Sequence, residues 1–331
     1  MKNINQMNIV AQDPNFTIVL PVECNADCSF CSWRTSAQDK QDYNDDTFIN
    51  ALTHTLENLP SIVTQITISS GKPSTYKALH EVMSIISYHK RKNINKVVFT
   101  TNGQNLIKLS TKKWFTSVVD FVNISRHDSN QEDNDRIMDI KTLEWSEIKK
   151  VSKNLAKRGI PTNINCVLSD SITTRYSEVF LKDFIKACRK SFVNSITFRR
   201  DYDDGFGIHP LETTMGDPTS IGECPVCRKS RYIVDGLDVI FTTSEFEPTD
   251  IIGDNIYEFV LQPNGDLTTN WSGTDVIDLI PLTGSIPRPK KTRKIGSADV
   301  IEDQIGSCTA EKILKKPKKK DDYSGASMSC G

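Results

Sequence analysis

Three cysteines fall within eight residues, Cys24-Asn25-Ala26-Asp27-Cys28-Ser29-Phe30-Cys31. Thiolates spaced this closely on one short stretch can grip three corners of an iron–sulfur cube, a cluster normally held by cysteines, often by four. With no fourth cysteine nearby, one iron is left open to a ligand, and an open coordination position is what catalysis needs. Zinc is the other metal to weigh, but it takes four ligands, usually in paired groups, and no histidine adjoins this segment. A set of buried thiols without metal is the other alternative, and the spacing and strand context favour the cluster. A second pair, Cys224-Pro225-Val226-Cys227, is half a tetrahedral site. It admits a second iron–sulfur cluster, zinc completed by Cys308, Cys330 or another group, or ordinary thiols. Nine cysteines is an odd count, and in a reducing compartment such residues serve as metal ligands or buried thiols more often than as disulfides.

With an aromatic residue just before its last cysteine, the first segment resembles the CxxxCxxC motif of the radical S-adenosylmethionine (SAM) superfamily. The resemblance implies a [4Fe–4S] cluster on Cys24, Cys28 and Cys31, with the amino and carboxylate groups of SAM on its open iron. One electron into that cluster would cleave SAM to methionine and a 5′-deoxyadenosyl radical, which would abstract hydrogen from a substrate. Other segments fit the same family. Ser69-Ser70-Gly71-Lys72-Pro73 resembles the GGEP-type loop that meets the SAM amino group, which implies roles for Ser70, Gly71, Lys72 and Pro73. Glycine there permits close backbone approach. Thr100-Thr101-Asn102-Gly103 is similar to the family's TNG turn, which makes Asn102 a candidate. Ser125 and Arg126, in Ser125-Arg126-His127, are implied near the SAM ribose or carboxylate, the arginine because its fork matches a carboxylate. Asn165 is placed to bond a ribose hydroxyl, and Arg199 and Arg200 close the series; His127 reads as structural. The implied partners are a small-molecule, nucleotide or peptide substrate and a one-electron reductant such as flavodoxin or ferredoxin. The resemblance covers about residues 16 to 200.

A frame is needed to hold these residues at one end. From residue 16 to 200 strand-like and helix-like segments alternate. Thr17 to Val22, Ile66 with Ile68, Lys96 to Thr100, Phe121 to Ser125, Asn163 to Leu168 and Ser195 to Arg199 read as strands. Between them, apolar residues recur at helical spacing, as in Phe48, Ile49, Leu52 and Leu56 behind a capping Asp46, or Ile148, Val151 and Leu155 before Gly159 and Pro161. Repeated β-then-α order predicts an α/β fold with a mainly parallel sheet, and about six units suit a partial (β/α)6 barrel of the radical SAM type. In such sheets sites form at the C-terminal ends of strands, where the Cys24–Cys31, Ser69–Pro73, Thr100–Gly103 and Ser125–His127 segments fall. The expected division is an N-terminal segment, 1–15, a core domain, 16–200, and a smaller α+β or irregular C-terminal extension, 201–331. Within the extension a hairpin is expected over 257–271, around Pro263-Asn264-Gly265-Asp266.

Apolar residues make up 37% of the chain and its formal net charge is -1, so no global field draws it to nucleic acid. No apolar run approaches the roughly 18 residues of a membrane span, and Met1 to Asn8 lacks an apolar signal core. The expectation is a cytoplasmic protein with no membrane partner. Two basic runs, Lys290-Lys291-Thr292-Arg293-Lys294 and Lys315-Lys316-Pro317-Lys318-Lys319-Lys320, read as solvated tail. They also keep open an alternative, an iron–sulfur or zinc-bearing nucleic-acid-binding protein. The three cysteines after the first strand of a β/α array favour the enzyme, since a binding module would show paired CxxC units and clustered aromatics.

Overall fold

A computed structural model describes residues 2–3, 8–9, 14–31, 44–70, 72–90, 94–169, 176–201, 209–223, 227–244, 255–256, 258–271, 273 and 276–278. Gly71, Cys224, Cys308, Cys330 and both basic runs lie outside the described residues, and of Cys227 only its place in a strand is described.

Eleven strands form the main sheet: β1 (Asn15–Val19), β2 (Gln65–Ser69), β3 (Lys96–Thr101), β4 (Phe121–Ser125), β5 (Thr162–Leu168), β6 (Ser195–Arg200), β7 (Ser220–Glu223), β8 (Cys227–Val234), β9 (Leu237–Ser244), β10 (Glu258–Leu261) and β11 (Leu267–Thr268). Their order is β11-β10-β1-β2-β3-β4-β5-β6-β9-β8-β7. The expected six strands run parallel from β1 to β6. The region after residue 201 adds a parallel strand on each side, β10 beside β1 and β9 beside β6. The expected hairpin is present as antiparallel β10 and β11.

Five longer helices intervene: α1 (Asp45–Asn58), α2 (Leu79–Lys90), α3 (Gln131–Met138), α4 (Trp145–Ala156) and α5 (Glu178–Lys190). Local chemistry sets their ends. Asn44, one residue before the first helical position and not the expected Asp46, caps α1 by accepting from Thr47 N at 3.1 Å. Glu144 and Glu147 close a reciprocal capping box on α4, and Gly159 just beyond that helix has φ +72°.

The two faces of the sheet differ in kind. Phe16 and Ile18, Ile66 and Ile68, Val97 and Phe99, Val122 and Ile124, Ile164 and Cys166, and Ile196 and Phe198 are all buried in one hydrophobic core. Helix residues such as Leu52, Val82, Val151 and Phe184 belong to the same core. The residues between them in each strand are largely polar, and they bond to one another. Asn15 Oδ1 accepts from Gln65 Nε2 at 3.0 Å and from Thr67 Oγ1 at 2.8 Å. Asn123 Nδ2 donates to Thr100 Oγ1 at 3.2 Å, and Asn163 Nδ2 donates to Asn123 Oδ1 at 3.0 Å and to Asn165 Oδ1 at 2.7 Å. Ser195 and Thr197 donate in turn to Asn163 Oδ1. A complete (β/α)8 barrel fills this face with layers of bulky branched side chains. Here short amides and hydroxyls take that place: Asn15, Gln65 and Asn163 are buried, and Thr67, Thr100, Asn123, Ser125, Asn165 and Thr197 are half-buried.

The sheet is strongly wrapped. Arg199 on β6 acts electrostatically on the carboxyl of Glu258 on β10, although five strands lie between them in the hydrogen-bonded order. In a flat sheet they would stand roughly 29 Å apart. Burial pushes the Glu258 carboxyl up to about 7, offset in part by Arg199 and by a hydrogen bond with Trp271. Among the described residues no helix is long and apolar enough to cross a membrane.

Candidate active site

The Cys24–Cys31 loop leaves the C-terminal end of β1, where Leu20 N still bonds Ser69 O of β2 at 3.1 Å. Cys28 is buried, and Cys24 and Cys31 are half-buried. Cys31 N bonds Cys28 O at 3.1 Å, which closes the last turn of the loop, and Cys24 Sγ accepts from Ala26 N at 3.3 Å. The thiols feel one another. Burial first, then Cys31 and Cys24, push the Cys28 thiol up to about 12. Burial likewise raises Cys24, with Cys31 adding to the rise and the Ala26 N–H and Lys72 opposing it. Three thiolates in one half-buried loop repel unless cationic metal compensates them, and a thiol that coordinates metal is deprotonated outright. The donor set therefore suits an iron–sulfur cluster. Among the described residues no three His, Cys, Asp or Glu side chains are gathered as one metal ion would require.

Three contacts fix this loop. Asn102 Nδ2 donates to Asn25 Oδ1 at 2.9 Å, and Asp27 N donates to Met138 O at 3.0 Å. The Phe30 ring meets the His127 ring edge-on, with centroids 4.6 Å apart. His127 is itself held, its Nδ1 accepting from Val167 N at 3.0 Å. Sequence reasoning read His127 as structural, and the fold gives that role a target: the imidazole backs the cysteine loop. Asn25, as the partner of Asn102, was not foreseen; a polar residue between closely spaced cysteines carries no distinctive signal.

Burial, with Arg126 beside it, pushes the His127 imidazole from its ordinary 6.5 down to about 3. The unfolded chain therefore binds a proton that the native state refuses. His127 contributes its full stability above pH 6.5, and that contribution falls as pH drops from about 6.5 towards 3. Urea unfolding at pH 7 and pH 5 tests this. Wild-type protein should lose more stability between the two than His127→Asn, whose Oδ1 can still accept from Val167 N. The difference is at most about 1.4 kcal/mol per pH unit, and equal slopes would contradict it.

At the end of β2, the Ser70 hydroxyl oxygen is buried with no hydrogen-bond partner among the described residues. A buried polar group without a partner is costly, and this one lies in the segment that resembles the SAM-binding loop. Lys72 follows, half-buried, and Pro73 opens the short 3₁₀ turn Pro73–Thr75. Ser125 lies on the polar face with Asn123, and Asn165 accepts from Asn163 there; both stay at the C-terminal half of the array.

Two candidates take other roles. Asn102 is 6% exposed, and its amide is used in holding Asn25 and Gln104 N. Arg126, expected at the cofactor carboxylate, turns instead to the helix side and is 1% exposed. Strand alternation is the reason: Arg126 continues the parity of Val122 and Ile124, which face the core, whereas Ser125 continues that of Asn123. Its guanidinium donates to Leu143 O at 2.8 Å and Gln131 Oε1 at 3.2 Å and lies 4.4 Å from the Trp145 ring centroid. Asn134, fully buried, ties His127 N and Asp128 N to Thr142 in the same network.

Among solved structures, the chain is similar to Streptococcus suis SuiB bound to S-adenosylmethionine, with 14% identity over 77% of this chain and 60% of that one and a TM-score of 0.49. It is similar to anSMEcpe with bound AdoMet and Cp18Cys peptide, with 16% identity over 57% and 51% of the two chains and a TM-score of 0.41. A radical SAM methyltransferase from Sphaerobacter thermophilus aligns with 15% identity over 59% and 58% and a TM-score of 0.43. This chain thus spans at most 60% of the length of these three structures. No curated protein matches the sequence. The family model of the radical SAM superfamily matches residues 18–184, half of the chain, and that span holds Cys24, Cys28 and Cys31 at CxxxCxxC spacing. The chain belongs to the radical SAM superfamily, whose enzymes use a [4Fe–4S] cluster and SAM.

Proposed function

We propose that Cys24, Cys28 and Cys31 hold the [4Fe–4S] cluster and that the protein abstracts hydrogen from a polar substrate bound against the polar face of its sheet. When bound, the cluster and SAM together supply a 5′-deoxyadenosyl radical, after one electron from a flavodoxin- or ferredoxin-like donor. The observation that carries this reading is the placement of three half-buried or buried thiols in the loop after β1, beside the paired strand β2 whose end carries Ser70. The loop presents the thiols, and Asn25, Asp27 and Phe30 fix its path. Ser70, Gly71, Lys72 and Pro73 are assigned to SAM by the likeness of their segment to the family's loop; among the described residues the Ser70 hydroxyl has no partner, and Lys72 acts electrostatically on Cys24. Ser125 and Asn165 offer hydroxyl and amide groups from β4 and β5 to the ribose. The amides and hydroxyls of the polar face suit a substrate rich in hydrogen-bonding groups.

Anaerobic reconstitution with iron and sulfide tests the reading. Wild-type protein should take up about four of each per chain from this site. With dithionite and SAM it should then release 5′-deoxyadenosine and methionine, detected chromatographically. A loaded cluster with no SAM binding and no 5′-deoxyadenosine, even with cell extract as a source of substrate, would favour the nucleic-acid-binding alternative. Cys224 and Cys227 are proposed as a second metal pair. Iron kept by the Cys24/Cys28/Cys31→Ala triple variant would make it a cluster, zinc would make it structural, and retention of neither would make them plain thiols.

A further inference from the structure

We infer that Asn102 is a positioning residue, the centre of a hydrogen-bonded clasp that ties the cysteine loop to the SAM-side loop. The clasp runs through four residues on three strand ends. Asn102 Nδ2 donates to Asn25 Oδ1 at 2.9 Å, and Gln104 N donates to Asn102 Oδ1 at 3.2 Å. Ser74 Oγ then donates to the Gln104 carbonyl. Asn25 sits between Cys24 and Cys28, and Ser74 directly follows the segment Ser70 to Pro73. The inference rests on the functional reading above, which gives those two loops the cluster and SAM.

The polarity of the clasp is fixed. A backbone N–H only donates, so the amide oxygen of Asn102 must face Gln104 N, and its NH2 must face Asn25. The turn that allows this needs glycine. Gly103 has φ +96°, and a Cβ there would lie 2.8 Å from Leu143 Cδ1. Thr101 Oγ1 accepts from Gly103 N at 3.1 Å and holds the turn from below. Both Asn102 and Ser74 are buried, at 6% and 7% exposure, so water competes little for these bonds. The roots of the two loops are already joined by Leu20 N and Ser69 O. The clasp adds a second connection further along each loop, through a third strand. Two loops joined at two points keep a set separation. A cluster held by one loop and SAM held by the other would then keep a fixed relation, so the clasp would serve the geometry between the two loops and need not touch either group.

The test uses the anaerobically reconstituted full chain as wild type, Ser74→Ala, Asn102→Ala and the double variant. Three quantities are read: iron per chain, SAM affinity by equilibrium dialysis, and the change that SAM causes in the electron paramagnetic resonance spectrum of the reduced cluster. Ser74 lies in neither the cysteine loop nor a strand, so Ser74→Ala should keep full iron and an unchanged spectrum without SAM. Its SAM affinity should fall about five- to tenfold, with a reduced spectral response to SAM. Asn102→Ala should fall at least as far, and the double variant no further than Asn102→Ala, because both substitutions open the same connection. Wild-type affinity and spectral response in Ser74→Ala would overturn the clasp, as would losses that add independently in the double variant. Should Asn102→Ala take up no cluster, Ser74→Ala decides by itself. A wild-type protein that loads no cluster would instead overturn the functional reading on which the clasp depends.

Discussion

Replacing Cys28 with alanine is expected to leave a folded protein that assembles no [4Fe–4S] cluster and yields no 5′-deoxyadenosine from SAM. Cys28 is the central and most buried of the three thiols, and its neighbours on both sides share the loop. Alanine is smaller and apolar, and the loop keeps its bonds from Asn25, Asp27 and Cys31 through atoms that the substitution does not remove. Fold and chemistry therefore part company in this variant. Its circular dichroism should match wild type, while iron should fall from about four per chain towards background and the absorbance near 400 nm (on the order of a typical cluster band) should vanish. Unchanged iron and absorbance would place the cluster elsewhere in the chain.

Arg126→Met is expected to do the reverse, costing stability first and chemistry only as a result. The guanidinium is buried among Leu143 O, Gln131 Oε1 and the Trp145 ring. Burial lowers its pKa to about 10, while Asp135 and Asp128 favour its charge. Methionine fills much of the same volume but satisfies none of these acceptors and leaves the nearby carboxylates uncompensated. Leaving a buried acceptor unsatisfied typically costs about 1–3 kcal/mol. Denaturant unfolding should show a loss of this order. The damage should spread to the cysteine loop, because Met138 O, which accepts from Asp27 N, ends the helix that carries Gln131 and Asp135. A variant with wild-type stability and a selective loss of SAM affinity would return Arg126 to the cofactor.

Much of this was legible in the sequence because the relevant signals are local. The cysteine spacing, the six strands and the principal helices all follow from short-range patterns, and the hairpin follows from its turn residues. What escaped was set by parity and by long-range pairing. Arg126 was assigned to the cofactor by its position at a strand end, yet counting alternation from Val122 and Ile124 would have turned it inward. The polar face was equally visible in principle, since Asn15-Phe16-Thr17-Ile18, Gln65-Ile66-Thr67-Ile68 and Asn163-Ile164-Asn165-Cys166 alternate polar with apolar. A parallel sheet covered on both faces reads instead as a nearly continuous apolar run. Strands β9 and β10 could not be placed in advance, because nothing local to residues 237–261 says that they would flank β6 and β1. The Asn102 clasp depends on three segments far apart in the chain and left no sequence pattern beyond its TNG turn.

On the proposed reading, in which a substrate binds this hydrogen-bonded face, the face also sets what a calorimeter should register. The half-buried amides and hydroxyls of this face, Thr67, Thr100, Asn123, Ser125, Asn165 and Thr197, would give up bound water only in exchange for equivalent bonds, so the proposed substrate would remove little apolar area from solvent there. The heat-capacity change, which tracks apolar burial, should accordingly be small, and the favourable heat should come from matched hydrogen bonds. Discrimination would then rest on these same half-buried side chains, whose remaining hydrogen-bonding capacity an analogue lacking one hydroxyl or amide would leave unused.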